Sequence, residues 1–419
     1  GHDDGEFGLR RTVNSSLAKV KMVAERHAEL FAAMARFIAR GNRIDIVCGN
    51  HDIEFHWSDV QAAFRDAVSC SYAALPEAGR AGAATKETIQ SGIGFHPWFF
   101  YEPGVEWIEH GHQYDENCAF DYGLNPLHPS DDEILSNVDT ASTRYLTNYV
   151  REIDAHAQED WSAMGYLRFT MGLGVRGSLR TAKAYYSFSR ALLSVRKSTV
   201  GPRAKRVRRA NHEQRLAALA EAWGVDASVL REIDGLRRTP VVSSIARLAR
   251  VLMLDKIVIF GTAALLGLIA FLTLGAVDGG VMTALALVVA VVVSWLFGRG
   301  RNVDPGEPLK VVPQRILDRI DAEYVVFGHT HKPVRMSIEG GTYFNTGTWI
   351  PSGKPGLLRA FTHVVIHASG SGARAELCQW RDGGSRPFVP AGSAADGALA
   401  SQAESRARIG SGGRESVSR

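Results

Sequence analysis

Two adjacent uncharged segments restrict the folds open to this 419-residue chain more than any other feature. Residues 257–277 and 281–298 contain no Asp, Glu, Lys or Arg, and only Asp278-Gly279-Gly280 separates them. Each segment is about long enough to cross a hydrocarbon core of roughly 30 Å. The pattern predicts a two-helix transmembrane hairpin, and a buried helical pair in a soluble core is the alternative.

Basic residues flank both ends of this predicted hairpin, whereas its loop carries an acidic residue. Arg247, Arg250 and Lys256 precede the hairpin, and Arg299 and Arg301 follow it. The positive-inside rule therefore predicts that both ends face the cytoplasm. We expect a protein of the inner or cytoplasmic membrane whose other domains lie on the cytoplasmic side.

Three short apolar runs end in polar residues that suit metal binding. Residues 44–48 lead into Gly49-Asn50-His51-Asp52, residues 105–109 into His110-Gly111-His112, and residues 324–327 into Gly328-His329-Thr330-His331. Such runs are typical of strands buried in a sheet. In open α/β sheets, ligands gather beyond the carboxyl ends of the strands. The pattern therefore predicts a convergent metal site.

The residue types at these strand ends favour a transition metal. His329 and His331 are two residues apart, so both imidazoles would face one side of an extended segment. Alone, such a pair is equally compatible with a solvated surface. Neutral imidazole is the commonest metal ligand, and Asn50 adds an oxygen, a mixture that suits Mn, Fe, Zn or Co. His51 beside Asp52 is a candidate proton donor oriented by a carboxylate.

Together these motifs resemble those of the calcineurin-like binuclear metallophosphoesterases, over roughly residues 12–125 and 309–367. The family's G-N-H-D/E, lone His and G-H-x-H motifs match the three loops above. The resemblance implies an α/β fold with two sheets in a sandwich flanked by helices. It implies that Asn50, His110 and His329 hold one of two divalent ions and that His331 helps to hold the other. Manganese is the first expectation for these ions, with Fe, Zn or Co as alternatives.

The resemblance also suggests residue roles and a branch of the family. His51 would protonate the leaving group or stabilise transition-state charge, and Asp52 would orient it. His110-Gly111 is similar to the branch containing UDP-2,3-diacylglucosamine diphosphatase, which cleaves a pyrophosphate on a lipid precursor. Here the stretch reads HGHQYD.

Two of the family's motifs, D-x-H and G-D-x-x-D, do not occur before Asn50. They include the carboxylate that would bridge the two ions. The chain begins at Gly1 rather than Met, so we expect an amino-terminal truncation. The segment Gly1-His2-Asp3-Asp4 has the wrong residue order for the first motif, and we expect it to be a loop.

The predicted domain order has a metallophosphoesterase domain interrupted by helices. Its first part covers residues 1–130, followed by a helical basic insertion (131–256), the transmembrane hairpin (257–298), its last part (305–390) and a disordered tail (391–419). Local patterns predict a loop over 1–11, one helix over 12–40, a helix over 54–75 and a surface loop over 76–91.

Charge and cysteine content narrow the expected partners. The net charge of the chain is +4, which is modest. Its most basic segment, residues 196–215, has no aromatic residues interleaved with the basic ones to stack on bases, so nucleic acid is not an expected partner. The run either docks anionic lipid head groups beside the hairpin or forms a solvated helical face. Cys48, Cys70, Cys118 and Cys378 form no Cys-x-x-Cys pair, which fits a reducing compartment.

Three functions remain open at this point. The first is a membrane-anchored metallophosphoesterase that hydrolyses a phosphoester or pyrophosphate bond of a lipid-linked substrate by two-metal activation of water. The second is the same chemistry on soluble nucleotides or phosphodiesters, with the hairpin only a tether. The third is a non-catalytic membrane scaffold that lacks the bridging carboxylate. The bilayer and a phosphorylated substrate are the expected partners.

Overall fold

The computed structural model describes residues 2–130, 132–150, 172–298, 308–349, 361–369 and 372–389. These residues form a mixed helical and β-sheet protein that divides into two compact units. Unit 1 comprises Gly1–Phe100 and His110–Ile316, and unit 2 comprises Tyr101–Glu109 and Leu317–Arg419. The disordered tail predicted for 391–419 lies outside the described residues.

Unit 1 is mainly helical. Its described helices are α1 (His2–Phe7), α2 (Val13–Arg26), α3 (Ala28–Ala39), α4 (Ser58–Ala73), α5 (Lys86–Ser91), α6 (Val138–Ser142), α7 (Gly174–Thr199), α8 (Pro202–Trp223), α9 (Ala227–Asp234), α10 (Ile245–Val251), α11 (Leu254–Gly298) and α12 (Pro308–Leu317). Shorter 3₁₀ turns cover Ile53–His56, Pro76–Gly79, His112–Tyr114 and Val241–Ser243, and a π-helical turn covers Thr143–Thr147. Within residues 131–256, most of the described residues lie in helices.

A hydrophobic core of unit 1 fixes the first candidate ligand loop. Strands β1 (Ile44–Val47) and β2 (Ile93–His96) form a two-stranded parallel sheet. Phe31 of α3, Val68 of α4 and Ile89 of α5 are almost fully buried and pack in one cluster with Ile93. Burying such a side chain contributes roughly 1.5–3 kcal/mol. This packing holds β1, whose carboxyl end leads into the loop of residues 49–52.

Unit 2 is built on a five-stranded sheet in the order β3-β4-β5-β7-β6. Its strands are β3 (Phe99–Glu102), β4 (Glu106–Glu109), β5 (Tyr324–Phe327), β6 (Val334–Ile338) and β7 (Gly341–Asn345). Strand β5 is parallel to both β4 and β7, and β6 is antiparallel to β7. The turn between β3 and β4 contains Gly104, whose φ is 74°.

A second sheet of unit 2 packs on the first. It is antiparallel, in the order β10-β9-β8, from β8 (Thr362–Ser369), β9 (Gly372–Arg381) and β10 (Gly384–Pro387). Tyr324 and Phe344 of the larger sheet share a hydrophobic cluster with Leu377 of the smaller one. The Tyr324 hydroxyl also donates to the Ala373 carbonyl at 2.7 Å. The two sheets therefore face each other across a common core.

Helix α11 is the one element of the described chain that is long and apolar enough to cross a membrane. Its backbone leaves helical geometry at Gly275, with φ 81° and ψ 178°. The Thr283 hydroxyl lies 3.2 Å from the Gly267 carbonyl oxygen, whereas the same spacing along a straight helix would span about 24 Å. The segment is therefore a helical hairpin. The turn falls at Gly275, so the predicted turn at 278–280 is wrong, because only the glycine at 275 takes the positive φ that reverses the chain.

Three local predictions are also wrong. Residues 1–11 are not all loop, because α1 is anchored by Phe7, which is buried against the rings of Tyr145 and Tyr149. The single helix predicted over 12–40 breaks at His27, whose backbone leaves the helical region for one residue. The predicted loop over 76–91 contains α5, which the Thr85 side chain caps at the Thr88 amide.

Candidate metal centre

Asn50 and His110 contact each other in unit 1. Asn50 lies just beyond β1 and is 2% exposed, and His110 directly follows β4 in the chain. The distance from Asn50 Oδ1 to His110 Nε2 is 2.9 Å. Two ligand atoms about 2.1 Å from one ion and at right angles would be about 3 Å apart. The separation is that of a hydrogen bond, and it also fits neighbouring ligands of one divalent cation.

Asp139, near the start of α6, fixes the orientation of the Asn50 amide. Its Oδ2 accepts a hydrogen bond from Asn50 Nδ2 at 2.8 Å. That bond turns the amide oxygen of Asn50 away from Asp139 and towards His110. A partner of this kind orients a metal ligand from behind. The sequence offers no motif that singles out Asp139, so its role is found only in the structure.

His51 and Asp52 occupy this loop, but they do not pair as expected. His51 Nε2 lies 3.3 Å from Asp139 Oδ2, and its side chain is 59% exposed. Asp52 Oδ1 instead accepts a hydrogen bond from the Gly49 amide at 2.6 Å. The carboxylate that contacts His51 in the structure is thus that of Asp139, whereas an Asp52 oxygen closes the loop. Burial raises the pKa of Asp52 despite the hydrogen bond from Gly49.

Gly49 allows the loop to approach the His110 ring. A Cβ at this position would lie 2.9 Å from His110 Nδ1 and 3.0 Å from two ring carbons. Any larger residue would push the imidazole away from Asn50. The glycine at the start of the Gly49-Asn50-His51-Asp52 motif is thus required by close packing rather than by a positive φ.

An ion-pair network supports the same loop from the other side. An Arg11 guanidinium nitrogen donates to the Asn50 carbonyl at 2.9 Å. The Nε atom of Arg11 lies 3.4 Å from Glu54, and Lys19 lies 2.8 Å from the same carboxylate. Burial would raise the pKa of Glu54, but the positive charges of Arg11 and Lys19 lower it overall. The carboxylate stays ionised and keeps Arg11 in place.

Asp115 and Cys118 complete the polar surroundings of Asn50. Cys118 is buried, and its Sγ lies 3.8 Å from Asn50 Nδ2. Burial raises the pKa of the Cys118 thiol well above its usual value, and the Asp115 carboxylate, to which the thiol is hydrogen-bonded, raises it further. Asp115 closes the stretch HGHQYD, a weak signal that sequence reasoning did not assign a role.

His329 and His331 lie in unit 2, in the loop after β5. The backbone of His329 has φ 69° and that of His331 has φ 55°, so the loop is not the extended segment expected from the His-x-His spacing. Non-glycine residues rarely adopt this left-handed region, and clusters of such residues are typical of functional sites. Two such residues are separated here only by Thr330. Both their left-handed backbone and their imidazole side chains favour a role as ligands.

Asn345, at the end of β7, ties this loop to the sheet of unit 2. Its side chain is completely buried and donates to the Gly328 carbonyl at 2.5 Å. Its Oδ1 accepts a hydrogen bond from the Gly347 amide at 3.0 Å. Strand β7 pairs directly with β5, so Asn345 supports the histidine loop from the same sheet.

Comparison of the chain with protein-family models, with curated proteins and with solved structures finds no match. The candidate metal centre therefore rests on the residues alone. In unit 1 an amide oxygen and an imidazole nitrogen lie at ligand spacing, with the carboxylates of Asp115 and Asp139 close by to balance positive charge. This set of nitrogen and oxygen donors fits a divalent transition metal.

Proposed function

We propose that this protein is a membrane-anchored, metal-dependent phosphoesterase with a metallophosphoesterase-type fold. The observation that carries the proposal is the 2.9 Å approach of Asn50 Oδ1 to His110 Nε2, with Asp139 holding the amide in the required orientation. The proposal assigns metal ligation to Asn50 and His110 in unit 1 and to His329 and His331 in unit 2. Manganese is the first candidate ion, with Fe, Zn or Co as alternatives.

The chemistry divides between the ions and the side chains. Bound divalent ions act as Lewis acids and lower the pKa of water, which makes hydroxide available at neutral pH. His51 is exposed enough to meet a substrate from solvent, and its Nε2 lies 3.3 Å from the Asp139 carboxylate. In its protonated form it donates a proton to the leaving oxygen of the phosphoester, a role worth about 10²–10⁴ in rate. Asp52 keeps the loop closed through the Gly49 amide.

The proposed substrate is amphipathic. Each arm of the α11 hairpin is about 30–35 Å long at 1.5 Å per residue, close to the thickness of a bilayer core. We infer that the hairpin anchors the protein in the inner or cytoplasmic membrane with both units on the cytoplasmic side. An enzyme held at the bilayer surface meets lipid-linked phosphoesters and pyrophosphates at high local concentration, which favours them over soluble nucleotides.

The test is hydrolysis by the full chain in detergent micelles with Mn²⁺. Two substrates are compared, a lipid-linked pyrophosphate and a soluble bis-aryl phosphodiester. We expect chelator-sensitive hydrolysis that favours the lipid substrate and is lost in His51→Ala and His110→Ala. The matched control is His27→Ala, which removes an exposed histidine between α2 and α3.

The pattern of results separates the three functions. Equal or better hydrolysis of the soluble phosphodiester would favour the tethered nucleotide enzyme. No metal-dependent turnover of either substrate, with the fold intact, would refute phosphoesterase activity of this chain and leave the scaffold.

A further inference from the structure

Helix α7 carries an apolar surface that the described residues leave exposed. We call it the α7 stripe. It consists of Val175 (79% exposed), Leu179 (67%), Ala182, Tyr186 (65%) and Leu193 (51%). At 100° per residue these positions fall within an arc of about 60°. Contiguous patches of exposed apolar surface, especially when rimmed by polar residues, mark interaction sites.

The opposite face of the same helix is already used. Ala184, Phe188 and Leu192 are buried, and the latter two pack with Val241, Val242 and Leu248 in a core cluster of unit 1. The α7 stripe is therefore a second apolar face on a helix that already packs into the core through its other face. Its exposure needs a reason other than the core.

Exposed basic residues lie beside the stripe and follow it along the chain, and they favour an anionic partner. Arg190 and Lys197 are exposed within or beside the same arc of α7. The start of α8 adds four exposed basic residues, Arg203, Lys205, Arg206 and Arg209. Within the described residues, none of these six forms an ion pair. An apolar face edged by Arg and Lys is typical of a helix that lies in the head-group layer of an anionic membrane.

The stripe is also connected to the predicted membrane anchor. Tyr185 is next to Tyr186 on α7, and its hydroxyl donates a hydrogen bond to the Leu252 carbonyl. Leu252 lies two residues before the start of the α11 hairpin. The middle of α7 is therefore bonded to the segment from which the hairpin departs, and both belong to unit 1.

We propose that the α7 stripe docks onto an anionic bilayer, with the basic start of α8 against the lipid head groups. The inference rests on the membrane anchoring given under the proposed function. It goes beyond it, because the helical insertion becomes a second, peripheral contact that fixes how unit 1 lies on the membrane. The hairpin inserts into the bilayer, and the α7 stripe fixes the orientation of unit 1 on the bilayer surface.

The experiment uses a fluorescent probe on the full chain reconstituted in phosphatidylglycerol-containing vesicles. Cys70 is the exposed cysteine, so a Cys70→Ser background leaves only buried thiols. An environment-sensitive label is attached through Leu193→Cys in the stripe. The matched control is Leu30→Cys on α3, an apolar helical position with similar exposure, 57% against 51%. Quenching is measured with aqueous iodide and with doxyl-labelled lipid.

We expect the label at 193 to shift to shorter wavelength, to lose iodide quenching and to be quenched by doxyl lipid. The label at 30 should stay accessible to iodide. Replacing Arg203, Lys205, Arg206 and Arg209 by Gln should weaken docking roughly fivefold for each charge removed. The unsubstituted protein should also dock more weakly on vesicles of phosphatidylcholine alone, because these carry no net negative charge.

Other outcomes overturn the inference in distinguishable ways. If the protein floats with vesicles while the label at 193 remains open to iodide, docking is refuted and anchoring stands. If the label is shielded from both quenchers, protein rather than lipid covers the stripe, either residues 151–171 or a second copy. If the protein does not float with vesicles at all, the anchoring itself fails.

Discussion

Replacement of Asp139 tests the geometry of the candidate metal centre. In Asp139→Ala, Asn50 Nδ2 loses its 2.8 Å acceptor and retains only the 3.8 Å contact with Cys118 Sγ. Because Asn50 is 2% exposed, water cannot easily replace that acceptor. An unsatisfied buried donor costs about 1–3 kcal/mol. The amide is then free to rotate its oxygen away from His110.

The consequence for metal binding follows from the lost orientation. Removing a residue that orients a ligand typically lowers metal affinity about 10–100-fold, which corresponds to about 1.4–2.7 kcal/mol. The same free energy should disappear from the stabilisation that Mn²⁺ confers on the folded protein. Asp139→Asn should have a smaller effect, because its side-chain oxygen can still accept from Asn50.

The assay combines calorimetric titration with Mn²⁺ and thermal unfolding in detergent with and without the ion. Unfolding without metal gives the structural cost of each variant separately. Asp59→Ala is the matched control, since Asp59 is exposed in the first turn of α4. Mn²⁺ affinity that is unchanged in Asp139→Ala would refute the assignment of Asp139 and weaken that of Asn50.

Three further predictions test the supporting structure. Gly49→Ala should lower Mn²⁺ affinity at least tenfold in the same titration, because the added Cβ would lie 2.9 Å from His110 Nδ1; wild-type affinity would contradict the close packing. Asn345→Ala should destabilise unit 2 by about 1–3 kcal/mol for each buried partner left unsatisfied, measured by denaturant unfolding. An unchanged unfolding midpoint would show that Asn345 does not stabilise the His329 loop. Stability should fall as the pH drops below 4.5, the ordinary pKa of a glutamate, because the folded state holds the pKa of Glu54 lower than the unfolded state does. Glu54→Gln should reduce that acid-dependent loss in thermal melts across this range, and identical pH profiles would contradict it.

Elements with a strong periodic or apolar pattern could be predicted from the sequence. The apolar runs at β1, β4 and β5 each formed strands, and the 39 residues of the two uncharged segments formed a hairpin. The pattern of apolar and polar residues indicates which segments are removed from water, and these strands and the hairpin form because their apolar residues avoid water. The exact turn at Gly275 was missed because four nearby glycines, 267, 275, 279 and 280, offer similar freedom and only packing chooses among them.

The candidate site was only partly predictable, for a different physical reason. Asn50 and His110 belong to motifs whose residue types carry the chemistry, and the structure brings these two side chains together. Asp139 is 89 residues from Asn50 and sits in an ordinary helix start. Its role depends on tertiary contact alone. The left-handed backbone of His329 and His331 could not be predicted from the sequence either, because the spacing of residues does not determine φ.

The most direct test of the central claim is pulsed electron paramagnetic resonance of Mn²⁺ bound to the full chain labelled with ¹⁵N-histidine. We predict a ¹⁵N coupling from imidazole that weakens in His110→Ala, while His27→Ala leaves it unchanged. A spectrum without imidazole coupling, or one that His110→Ala does not alter, would show that His110 is not a ligand. That result would contradict the proposed metal centre.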